Sequence, residues 1–218
     1  MLRKLSGGIQ LAIAIAITIA ITWQIADRVI AGYWRWEEYF SFVTIQMCIV
    51  TALVCYVTAY ETFVTKRDTE WVSIARMCAV TYMMIVGIVY NLLLRNAPAD
   101  PTSWDYDYVW PTPPNEILHV VAPTLLFIEW LLVAGSYRLK YRQLGWLWMY
   151  AIAWIIFTLV RGYSDGWWPY WFTDPDNASV NGWTGQAMYL SAILVFMVVI
   201  GFILITIEKG MLKLTKRK

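Results

Sequence analysis

Charge is scarce in this sequence. Aspartate, glutamate, lysine and arginine make up 15% of its 218 residues, against the roughly one quarter that a soluble domain uses to cover its surface. An ordinary water-soluble globule is therefore excluded. Histidine occurs once, as His119, which excludes bis-histidine haem ligation and the paired-histidine helix of zinc proteases. The three cysteines, Cys48, Cys55 and Cys78, all lie in apolar runs without a closely spaced pair. Neither a disulfide framework nor a zinc site is expected, and no metal or diffusible cofactor. A GxSxG segment is absent, as is any internal repeat, and the single biased tract is LAIAIAITIAIT. Its alternation would suit a strand in water, but a lone strand leaves its backbone unpaired in lipid, so a helix is predicted. No nucleic-acid partner is expected, because the basic residues are spread out and the terminal KLTKRK is explained by anionic headgroups.

What the chain has instead is apolar length. Hydrophobic residues make up 60%, with 14 tryptophans and 14 tyrosines, rings that favour the two boundaries of a bilayer. A bilayer core takes about 20 apolar residues as helix. Six such runs are predicted, roughly Ile9 to Ile30, Tyr39 to Phe63, Trp71 to Leu94, Ile117 to Ser136, Leu144 to Tyr163 and Gly185 to Ile207. They leave no room for a separate soluble domain. The expected fold is an all-α membrane protein, one domain over residues 1–218 built as a bundle of about six transmembrane helices. The first run follows Arg3 and Lys4 but exceeds a signal-peptide core and lacks a clear small-residue cleavage site, so it counts as the first span.

Alternating loops sort the charges. Arg3, Lys4, Lys66, Arg67, Arg138, Lys140, Arg142, Lys209, Lys213, Lys216, Arg217 and Lys218 fall on one side, which marks that side and both termini as cytoplasmic. The opposite loops carry Glu37, Glu38, Asp100, Asp105, Asp107, Asp165, Asp174 and Asp176 within aromatic, proline-containing stretches. Two of these loops, SWDYDYVWPTPP and DGWWPYWFTDPD, are expected to fold over the outer helix ends.

Polar side chains within a span are costly and tend to face the bundle interior. Thr44 lies about a turn and a half inside the outer end of span two, roughly 7 Å at the helical rise, and His119 lies at a similar depth in span four. Asn91 and Arg95 end span three, Arg161 and Asp165 end span five, and Asn115 and Glu116 precede His119 at helical neighbour spacing. Thr44, Cys48, Thr51, Cys55 and Thr58 recur every three or four residues and form one helix face. For the last three, close helix contact is explanation enough. Acyl transfer needs a nucleophile, a base and donors for an oxyanion, which Thr44, His119, Asn91 and Arg95 have the chemistry to supply. The same residues would equally serve as helix-to-helix glue. Glu129, well inside span four, suits an ion role in principle, but packing is the preferred reading.

Several segments together resemble the bacterial Pr-six-Pr membrane proteins: FVTIQ at Phe42 to Gln46, YNLLLR at Tyr90 to Arg95, NEILHVVAP at Asn115 to Pro123, IEWLL, RG at Arg161 and WWPYWFTDP at Trp167 to Pro175. That group is similar to the eukaryotic family of androgen-induced gene one protein and androgen-dependent TFPI-regulating protein, multi-pass threonine hydrolases of fatty acid esters of hydroxy fatty acids. The resemblance implies a catalytic threonine on span two and a histidine on span four, which fall on Thr44 and His119. It departs at Met47 and Cys48, where the bacterial relatives carry serine and asparagine, and no role is given to those positions. The expected function is an integral membrane lipid ester hydrolase, with Asn91, Arg95, Asn115, Glu116 and Arg161 as substrate-binding or supporting residues. Its expected partners are membrane lipids and a lipid ester substrate. The alternative is a non-enzymatic bundle, a small transporter or lipid-binding scaffold.

Overall fold

Six helices long and apolar enough to cross a membrane dominate the chain: α1 (Leu2–Ile30), α2 (Val43–Thr65), α3 (Glu70–Leu94), α4 (Thr112–Leu132), α5 (Tyr141–Asp165) and α6 (Gly182–Leu214). This is consistent with a multi-pass membrane protein. The computed structural model describes residues 2–67, 69–97, 103–134, 136 and 139–215, and no strand occurs among them. Asp100, Arg138, Lys216, Arg217 and Lys218, used above to sort the loops, lie outside the described residues.

Local chemistry sets the helix limits. Pro113 and Pro114 stand in the first turn of α4, where a missing N–H costs nothing, so that helix starts five residues before the apolar run. It stops at Leu132, short of Ser136. Tyr39 belongs to a separate short helix, Trp36–Tyr39, and α2 begins only at Val43. The Thr69 hydroxyl accepts a hydrogen bond from the Val72 N–H at the start of α3. Gly166, at φ +77°, ends α5 in the left-handed conformation that favours glycine. Three turns are π-helical, with one extra residue each: Glu61–Thr65, Tyr90–Leu94 and Ile117–Val121.

Neighbouring helices run in opposite directions, so the ends of the bundle differ in character. One carries the tryptophan-rich loops and is called the aromatic end; the other carries the N-terminus and most of the lysines and is called the basic end. α1 packs against α2 and α4, and α3 against α2, α4 and α6. Between them Ile13, Ile17, Met77, Met83, Leu118 and Trp130 are almost wholly buried. α5 is the peripheral helix, much of its apolar surface exposed, as expected of a helix facing lipid.

Two polar clusters tie the ends. At the basic end Glu129 of α4 is completely buried and accepts hydrogen bonds from Ser6, from Gln10 Nε2 at 2.7 Å and from Arg76 at 2.6 Å. Three helices thus share one carboxylate. At the aromatic end the loop before α4 is anchored on α1: Arg28 pairs with Asp105 at 2.9 Å, and the Tyr108 hydroxyl donates to Asp27 at 2.7 Å. The Arg28 guanidinium lies 4.6 Å from the ring centres of both Tyr108 and Trp110, a favourable cation–π arrangement once desolvated. The loop after α5 is pinned by Trp168 against Gly162 and by Trp171, whose indole donates to the Leu93 carbonyl at 3.2 Å. Both aromatic loops do fold over helix ends.

Candidate functional site

Thr44 sits in the first turn of α2 and is buried. Its side-chain oxygen lies 3.4 Å from the hydroxyl of Tyr170, and its backbone N–H reaches the same phenol oxygen, also at 3.4 Å. The helix has no side-chain cap of its own at Phe42, so Tyr170 provides from a distant loop an acceptor that the first turn lacks. Tyr170 is held by its ring: it stacks on Phe172 at 5.3 Å between centres and meets Phe42 edge-on at 5.6 Å. Burial pushes its hydroxyl up to about 12, while the bonds to Thr44 pull the other way. It is therefore a neutral phenol at physiological pH.

Both residues line a cavity of about 80 Å³ bounded by α2, α3, α5 and α6, with a wall that is nearly all apolar. Val86, Trp154, Leu190 and Met197 supply much of that wall. Tyr82 and Tyr150 also line it, but their hydroxyls are committed elsewhere, to the Leu147 carbonyl and to Gln46 Oε1. Thr44 and Tyr170 thus pair their hydroxyls beside a greasy space.

His119 lies apart from this cavity wall, in the π-turn of α4, and is also buried. Its Nδ1 is 2.9 Å from the Asn115 carbonyl oxygen. A carbonyl can only accept, so in the neutral ring Nδ1 carries the proton and Nε2 holds the basic lone pair. The ring stacks on Tyr90 at 4.0 Å between centres. No hydrogen bond joins Thr44 to His119 among the described residues, although the turn bearing His119 packs against α2.

The supporting residues divide between two places. Around His119, Asn115 donates to the Tyr90 hydroxyl at 2.7 Å, and Arg95 pairs with Glu116 at 2.8 Å, joining α3 to α4. Asn91 turns back to the Gly87 carbonyl on its own helix, at 2.7 Å. Gly87 itself allows α3 to approach α4, since a Cβ there would lie 3.0 Å from the His119 carbonyl oxygen. Arg161 belongs to the other group. It donates to the Glu37 carbonyl at 2.6 Å and to the Ser41 hydroxyl, pairs with Asp165 at 3.1 Å, and lies 4.2 Å from the centre of the Trp167 ring. Arg161 thereby fastens α5 to the segment leading into Thr44.

Tyr170 and Tyr90 are the neighbours that sequence reasoning missed. Tyr170 stands in the quoted WWPYWFTDP segment, but loop residues carry no helical period that would aim them. Arg76 also escaped notice, although a basic residue within a span, at the same end as Glu129, was a usable signal.

The architecture defines a class, a bundle of six helices long and apolar enough to cross a membrane, with an apolar cavity under one end. Beyond that class, the chain matches no family model, no curated protein and no solved structure. The resemblance described above rests on its quoted segments alone.

Proposed function

We propose that the protein is a membrane lipid ester hydrolase in which Thr44 is the nucleophile and His119 the base. The observation that carries this reading is the Thr44 hydroxyl, paired with that of Tyr170, on a residue that lines the apolar cavity. An ester whose acyl end entered that cavity would bring its carbonyl toward Thr44. Thr44 would attack the ester carbonyl, His119 Nε2 would take the proton and return it to the leaving alcohol, and water would release the acyl group. This requires the His119 ring to leave its Tyr90 stack or to work through a water molecule. The substrate class that the resemblance implies is fatty acid esters of hydroxy fatty acids, two apolar chains joined by a neutral ester, with one free carboxylate. The basic end faces the cytoplasm on this reading, with both termini there, and the aromatic end with its ester site faces the opposite side of the cell membrane.

A second reading, a lipid-binding bundle without chemistry, is favoured by the same His119 stack and by the lack of a Thr44–His119 hydrogen bond. Purified protein in lipid separates the two. Wild type should hydrolyse a branched fatty acid ester, while Thr44→Ala and His119→Ala should each lose roughly 100-fold or more at matched folding. An inactive wild type, or variants that keep its rate, would leave the lipid-binding bundle.

A further inference from the structure

We infer that Tyr170 is a catalytic residue of the proposed ester hydrolysis, its phenol O–H donating a hydrogen bond to the oxyanion that forms when Thr44 attacks. The inference rests on the reading of Thr44 as nucleophile and names a group that this reading lacked. Asn91 and Arg95 had been the expected oxyanion donors, but the first is turned to Gly87 and the second is paired with Glu116. Tyr170 is the polar side chain beside Thr44 at the cavity.

The geometry suits a donor. The Thr44 N–H can only give a hydrogen, so the phenol oxygen accepts there. Its own hydrogen remains to be used, and among the described residues the one acceptor within reach is Thr44 Oγ1. As Thr44 Oγ1 bonds to the ester carbon, the carbonyl π pair moves onto the carbonyl oxygen, one bond away from the attacked carbon. The proton of Thr44 leaves to His119. The phenol keeps its proton throughout and turns its O–H from Thr44 Oγ1 to the new negative charge. When that pair returns, the bond to the leaving alcohol breaks and the alcohol takes the proton from His119. The hydrogen bond is therefore stronger in the transition state than in the ground state, which is what raises turnover. The stacking on Phe172 and the edge contacts with Phe42 hold the phenol in place before substrate arrives.

The test uses full-length protein in lipid nanodiscs with p-nitrophenyl palmitate as probe. Tyr170→Phe keeps the ring packing and removes the O–H, and 3-fluorotyrosine at the same position keeps a donor. Expected is a loss of about 10²-fold in kcat for the phenylalanine variant with KM nearly unchanged, and recovery to within tenfold of wild type with fluorotyrosine. A role confined to capping α2 would lower thermal stability without moving kcat. Wild-type kcat in Tyr170→Phe alongside a dead Thr44→Ala overturns the role of Tyr170 alone. An inactive wild type, or an active Thr44→Ala, overturns the hydrolase reading and this inference with it.

Discussion

Removing Arg76 alone from the Arg76–Glu129 pair should cost more than removing both partners. Glu129 is completely buried and Arg76 is 3% exposed, and the carboxylate takes hydrogen bonds from Ser6 and Gln10 as well as from the guanidinium. Two scales compete. Ordinary interhelical hydrogen bonds in a bilayer contribute about 0.6 kcal/mol each, so three together would amount to about 2 kcal/mol. A charge left behind in a buried site costs about 3–5 kcal/mol. Arg76→Met leaves the Glu129 carboxylate buried without the cation it faces. Arg76→Met should therefore lose about 3–5 kcal/mol, whereas the double variant, with two apolar side chains of suitable length, should lose less. The assay is a double-mutant cycle of reversible unfolding in detergent–lipid micelles, followed by circular dichroism. Single losses below about 1 kcal/mol that simply add in the double variant would refute the stranded-charge argument.

Two further outcomes follow from the same architecture. Gly87→Ala should destabilise by about 1–3 kcal/mol, because its Cβ would meet the His119 carbonyl oxygen at 3.0 Å and the Pro123 Cβ at 3.2 Å; an unchanged unfolding midpoint would mean that α3 and α4 are not so closely apposed. Single cysteines in a cysteine-free background should report sidedness: Asp107→Cys in an exposed loop of the aromatic end should react with an impermeant maleimide on intact cells, and Arg67→Cys at the basic end should not. The reverse pattern would invert the bundle.

Much of the fold was legible because lipid removes alternatives. Once the backbone must satisfy itself, a run of apolar residues has to be a helix, and six runs give six helices. The buried face of α2 was equally plain, since Thr44, Cys48, Thr51, Cys55 and Thr58 follow the helical period and all are buried. Helix ends were less visible. Pro113 and Pro114 look like loop residues until they are recognised as first-turn positions, and the break at Phe40 that separates Tyr39 from α2 has no strong signal. The end of the bundle that holds the candidate site was legible, but not its direction, nor the depth of Thr44, expected a turn and a half inside its span and found in the first turn of α2. Thr44 and His119 come to the same end of the bundle, yet one lines a cavity beside Tyr170 and the other stacks on Tyr90. Depth depends on counting residues from a helix end, whereas direction depends on how each helix is rotated, and the π-turns alter that rotation. The loop that delivers Tyr170 is governed by ring-to-ring contacts that no periodicity records.

The π-turns at Tyr90–Leu94 and Ile117–Val121 have a meaning of their own. Each inserts one residue beyond the α-helical count, and a residue advances a helix by about 100°. The meeting of the Tyr90 and His119 rings is thus set by arithmetic as much as by chemical identity. A deletion of one apolar residue within either turn would keep the chain greasy enough for a bilayer and helical throughout. It would nevertheless swing the rest of that span round its axis, so that its aromatic-end side chains pointed to new neighbours. Composition is forgiving in this bundle; length, at these two places, is not.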